Sequence, residues 1–273
     1  MRKKEIENHF TKNIKTTDIK GLLDYTNEKY RPYDPGLYLY ILMSEYSFEE
    51  KFTDKFIELV YTTLTAWNMN QRGAKLCDFK VFKDSLIDNQ SIIESLKGYK
   101  IEELDSIDIL KKPIESLFKN LRLVPESQKR KLVTFSKTLH FFLPNLLMPI
   151  DHTYTLRFFN QYLSEKENQQ IEVYLYVFEQ FRLFAKDHKD DASFKVRSER
   201  WNKNFPKMID NIIIAYISKK RELEEELKTL TDVERKLYDY MSEEGKVGFL
   251  KVRRQLRQPV SLESIDKQLD DCT

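Results

Sequence analysis

Leu132-Val133-Thr134-Phe135-Ser136-Lys137-Thr138-Leu139-His140-Phe141-Phe142-Leu143-Pro144-Asn145-Leu146-Leu147-Met148-Pro149-Ile150-Asp151-His152 is the most apolar run of the chain that also holds ionisable side chains. Leu132, Phe135, Leu139, Phe142 and Leu143 recur at spacings of three and four, which puts them on one face of a helix. Ser136 and His140 fall at the edge of that face, and Lys137 points well away from its centre. Pro144 has no amide hydrogen to continue the ladder, so the helix stops or kinks there. The segment from Pro144 to Ile150 is an apolar elbow. Asp151 then opens the next helix, a position where a carboxylate accepts hydrogen bonds from free amides.

The same helix-and-turn grammar extends outward in both directions. Upstream, a helix is expected from roughly Asp18 to Lys29, and Arg31 to Gly36 is a turn. Leu37 to Met43 suits a buried helix better than a strand, because helical patterns flank it. Phe52, Phe56, Ile57, Val60, Leu64 and Trp67 mark a one-faced helix, with Gly73 suited to the turn after it. Leu76, Phe79, Phe82, Leu86 and Ile87 mark another. Short helices are expected over about 91–97 and 101–109, and Pro113 suits the first position of a helix through Leu121.

Downstream, helices are expected from Thr153 to Leu163 and from Ile171 to Phe184. A further core helix through Ile209 and Ile217 runs into the charged segment Lys219 to Lys228. The fold class is therefore all-α: a multi-helix globular domain, 1–228, followed by a small helical C-terminal appendage, 229–273. The appendage opens on the capping box Thr231-Asp232-Val233-Glu234, pauses at Gly245, and restarts after Pro259 with a helix from Ser261.

Composition narrows the function classes. Of 273 residues, 41% are apolar and 33% charged, with 18 Phe and 15 Tyr, so a bulky core is feasible despite the charge. A net charge of +2 gives no whole-molecule pull toward nucleic acid or membrane, so any such affinity must come from local patches. Two distant cysteines form neither a disulfide framework nor a four-ligand zinc site, and a reducing, cytoplasmic setting fits. No apolar run approaches the ~18 residues of a membrane span, and no apolar leader follows Met1. With six glycines, of which only Gly245 and Gly248 lie near one another, there is no Walker, Rossmann or kinase loop, and neither H-E-x-x-H nor G-x-S-x-G occurs. No cofactor and no metal are expected.

Three local patches bear on nucleic acid. Lys129, Arg130 and Lys131 end a basic segment that is either a solvated surface or a phosphate-facing patch. Asn70, Gln71 and Arg72 form a polar turn after an aromatic helix, suited to base edges or simply to a helix end. Arg253 and Arg254 lie in a stretch of the appendage that has no acid between Gly245 and Gln258.

A helix bearing a lysine, an elbow ending Pro149-Ile150-Asp151 and a new helix together resemble the catalytic segment of the helix-hairpin-helix DNA glycosylases. The likeness is confined to Lys137 through Arg157. In place of the family's L-P-G-x-G hairpin the chain has Leu123-Val124-Pro125-Glu126-Ser127. The resemblance implies an all-helical fold, Asp151 as catalytic carboxylate, Lys137 as amine nucleophile, and double-stranded DNA as partner. The last 40 or so residues resemble the helical part of a winged helix-turn-helix module. The expectation is thus a DNA-acting, glycosylase-like hydrolase. The alternatives are a non-enzymatic nucleic-acid-binding protein, with Asp151 serving only as a cap, and an all-helical interaction or scaffold protein.

Overall fold

The computed structural model describes residues 9–15, 18–28, 34–69, 75–191, 194 and 201–257, and among them every regular element is helical. The chain divides into two compact units, Met1–Ser218 and Lys219–Thr273. The first contains α1 (His9–Asn13), α2 (Ile19–Glu28), α3 (Pro35–Met43), a 3-10 turn (Glu49–Phe52), α4 (Asp54–Ala66), α5 (Phe79–Asp88) and α6 (Gln90–Ser95). Next come a second 3-10 turn (Ile101–Glu103), α7 (Asp108–Asn120), α8 (Leu132–Phe142), a π-helical turn (His152–Leu156) and α9 (Glu167–His188). α10 (Phe205–Lys228) begins in the first unit and ends in the second, which also holds α11 (Asp232–Tyr240) and α12 (Glu243–Arg257). No described helix is long and apolar enough to cross a membrane.

α8 is the centre of the first unit. Ten of its eleven residues are buried, all but Val133. It packs on α4 and α9. Phe135 stands between Phe118 of α7 at 4.7 Å and Tyr174 of α9 at 5.3 Å, and Phe142 meets Phe56 of α4 at 5.4 Å. Each such ring contributes about 1.5–3 kcal/mol by leaving water, so these contacts fix α8 more firmly than its own helix propensity does. The apolar stripe predicts a single buried face for α8. Its far side is covered too, and Lys137 is only 8% exposed.

Several element boundaries differ from those expected. Pro35 and Gly36 are the first turn of α3 rather than part of the preceding turn, because Asp34 caps it: its Oδ1 accepts the Gly36 amide at 2.7 Å. Pro113 lies inside α7, which starts at Asp108. The 101–109 helix is a 3-10 turn and then the start of α7. The helix after Asp151 is a π-helical turn that has ended by Asn160, whose φ of 52° closes it. α4 starts after Phe52 because Thr53 caps it, and Asn68, at φ 61°, makes the left-handed turn after it; Gly73 lies outside the described residues. In the second unit the capping box is present at Thr231 and Glu234, but Gly245 lies inside α12, not at the end of α11. The helix expected from Ser261 lies outside the described residues.

Candidate active site

The elbow is tied back to α8 at two points. Ser136 Oγ accepts the Ile150 amide at 2.9 Å and donates to the Val133 carbonyl at 3.0 Å. His140 Nδ1 donates to the Leu147 carbonyl at 2.6 Å, while its Nε2 accepts from Tyr40 Oη at 3.0 Å. Asn204 Nδ2 in turn donates to Tyr40 Oη at 3.0 Å; the Leu147 carbonyl can only accept, so the neutral imidazole carries its proton on Nδ1. Burial holds His140 neutral, pushing its pKa down to about 3, with the Lys207 and Lys51 charges adding to the effect and the Leu147 bond opposing it. With 147 and 150 fixed against α8, Asp151 arrives opposite Lys137. The Lys137 Nζ donates to Asp151 Oδ2 at 3.0 Å.

Asp151 is also a helix cap. Its Oδ1 accepts the Thr153 amide at 2.8 Å, and its own amide donates to Thr155 Oγ1 at 3.0 Å. One carboxylate oxygen therefore holds the backbone and the other holds the lysine. Burial raises the Asp151 pKa, but the Lys137 charge and hydrogen bond, with the Thr153 and Tyr154 amides, outweigh it and hold the carboxyl below the usual range.

A second ion pair stands in the same cavity, which encloses about 100 Å³. Lys207 Nζ lies 2.5 Å from Asp210 Oδ2, both side chains buried on the first turns of α10. The Lys207 ammonium is 5.2 Å from the Trp201 ring and 5.8 Å from Trp67, and Lys137 is 5.6 Å from Trp67. Tyr40 stacks on both indoles at 6.1 Å and fixes them. Asp210 Oδ1 is buried without a partner. Burial, with the Asp151 charge, raises the Asp210 pKa despite Lys207. Two lysines, two aspartates of opposite pKa tendency and two tryptophans thus share one cleft. Perturbed carboxylates grouped in a cavity make it a candidate for chemistry, as structural ion pairs also shift them.

Sequence reasoning names Lys137 and Asp151, which the structure brings into contact, but does not place Lys207, Asp210, Trp67 and Trp201 beside them. A signal for the α10 pair is present: Lys207 and Asp210 are ionisable residues three apart inside the apolar run Phe205 to Ile217.

Lys129, Arg130 and Lys131 are not among the residues that line this cleft. Lys129 and Arg130 are exposed before α8, Arg130 lies 3.6 Å from Glu165, and Lys131 pairs with Glu167 at 3.1 Å. In the second unit Arg253 is buried, donating to Glu234 at 3.0 Å and to the Thr229 carbonyl at 2.8 Å, and Arg254 donates to Glu226 at 2.9 Å. Asn70, Gln71 and Arg72 lie outside the described residues. No family model, no curated protein and no solved structure matches the chain.

Proposed function

We propose that the protein removes a base from double-stranded DNA by glycosylase-type chemistry, with Lys137 as amine nucleophile and Asp151 as the carboxylate beside it. The observation that carries this is the half-buried contact of Lys137 Nζ with Asp151 Oδ2 at the wall of a cleft lined by Trp67 and Trp201. A base turned out of the duplex meets flat aromatic faces there. As the glycosidic bond stretches, positive charge grows on C1′ and the ring oxygen, and the ionised Asp151 stabilises it. Lys137, after losing a proton to water, attacks C1′. The C1′–N bond breaks, and the base leaves with the bonding pair and takes up a proton from solvent. Loss of a second amine proton with sugar ring opening gives a Schiff base, which water hydrolyses to the abasic sugar and free Lys137. The exposed Lys129 and Arg130 supply phosphate contacts. A cytoplasmic setting goes with this assignment, in keeping with the free, buried Cys77.

The test is a panel of normal, damaged and modified-base duplexes incubated with protein and then with mild alkali, run in parallel with borohydride trapping. Strand cleavage on one substrate, a trapped protein–DNA adduct lost in Lys137→Met, and loss of excision in a folded Asp151→Asn are the expected results. Full excision by folded Asp151→Asn would overturn the assignment. So would salt-sensitive DNA binding with no product from any duplex.

A further inference from the structure

The first unit has a second cavity, which shares no lining residue with the cleft at Asp151. It encloses about 430 Å³ on the other side of Tyr40, and its wall carries Lys51, Lys97, Lys100 and Lys203 but no carboxylate. That volume lies in the range of small-molecule sites, about 300–1,000 Å³. Its charge is the unusual feature. Lys97 pairs with Glu49, and Lys100 with Glu103 at 2.7 Å, both acids outside the cavity wall. Lys51 and Lys203 form no salt bridge among the described residues, which leaves about two positive charges uncompensated.

Lys51 is the more telling of the two. It is 6% exposed, and its ammonium donates to the carbonyls of Phe141 and Phe142 at 3.0 Å each, so it closes the carboxyl end of α8. Two carbonyls occupy two of its three N–H donors, and they do not neutralise it. Burial brings its pKa down to about 8, with no carboxylate acting in the other direction. A structural cap alone needs no cavity beside it and no further lysines on that cavity's wall. The rest of the wall suits a planar ring: Tyr46 and Tyr99 supply aromatic rings, and the exposed Asn145 supplies an amide donor and acceptor.

We infer that this cavity is a binding site for a phosphomonoester attached to a planar ring, of the size of a nucleoside monophosphate, with its phosphate against Lys51 and Lys203. A phosphomonoester carries about −1.5 to −2 at pH 7, which matches the uncompensated charge; a single carboxylate does not. The same group occurs on a free nucleotide and on the 5′ end of a nucleic-acid strand. The inference does not depend on the chemistry assigned to Asp151.

Calorimetric titration of the full chain tests it, using adenosine 5′-monophosphate, adenosine, and a short oligonucleotide with and without a 5′-phosphate. Saturable binding of the monophosphate but not of adenosine, weakened at least tenfold in Lys203→Glu, is expected for the free nucleotide. Binding of only the 5′-phosphorylated oligonucleotide, with the same loss in Lys203→Glu, assigns the site to strand ends and upholds it. Lys51→Met is the second variant, read only if its thermal unfolding remains cooperative. No saturable binding of any phosphorylated probe would overturn the inference. Adenosine binding as tightly as its monophosphate would also overturn it, as would affinity unchanged in Lys203→Glu.

Discussion

Gly36 and Trp67 occupy one another's space: a Cβ built on Gly36 would overlap the indole Nε1 and Cδ1. Because Tyr40 and Phe141 pack on that indole, it has nowhere to go. Alanine at this helical position would by propensity alone add about 1 kcal/mol. The clash reverses the sign. Gly36→Ala is expected to destabilise by about 1–3 kcal/mol on the scale of overpacked cores, and to shift the tryptophan emission as Trp67 leaves the cleft. Denaturant unfolding followed by fluorescence checks both; a stabilised variant with unchanged emission would contradict the contact.

Asp151→Asn separates the two roles of that residue. Asparagine caps a helix about as well as aspartate, so the π-helical turn should persist. The Lys137 ammonium loses its counter-charge while remaining buried, a cost of about 1–2 kcal/mol for a carboxylate that is itself partly exposed. Circular dichroism should be unchanged and the denaturation midpoint lowered. Asp151→Ala, which removes the cap as well, should be lower still.

His140 predicts an acid limb in stability. Its pKa is depressed in the folded state, from 6.5 to about 3. The unfolded chain therefore binds the proton first as pH falls. The stability this histidine allows is fully present above about pH 6.5 and is lost as pH drops toward 3, at about 1.4 kcal/mol per pH unit, on the order of 4–5 kcal/mol across the window. Urea midpoints at stepped pH should show this limb, and His140→Gln should flatten it.

Gln170 of α9 predicts a stability effect far from the cleft. Its Oε1 accepts the amides of Lys131 and Leu132 at 3.0 and 3.1 Å, and its Nε2 donates to the Lys129 carbonyl at 2.8 Å. Gln170→Ala strips three backbone groups at the start of α8 and should cost about 2–3 kcal/mol. Gln170→Glu keeps the acceptor and should recover part of that, as measured by chemical denaturation.

The helices are legible in the sequence wherever the signal is local. The α8 stripe, the stop at Pro144, the elbow and the Thr231 capping box all depend on neighbours within a few residues, and all are present. Boundaries set by a choice between two competent starts are not legible. Asp34 and Pro35 win α3 for themselves, and α7 begins five residues before Pro113. Lys137 reads as a solvated side chain because a hydrophobic stripe assumes one buried face, and Trp67, seventy residues earlier, covers the other. The contribution of α10 to the cleft is hidden for the same reason: only the folded chain brings Lys207 and Asp210 beside Asp151.

Distant side chains, not neighbouring ones, cap both ends of α8. Gln170 closes the amino end and Lys51 the carboxyl end, from 38 residues downstream and 90 upstream. A segment held this way gains little from forming alone, and its order waits on long loop closures. A fragment spanning 131–143 should be largely unstructured in water. Contact between Lys137 and Asp151 is therefore expected to form only once both distant segments have docked; amide exchange that protects α8 before those segments would contradict this.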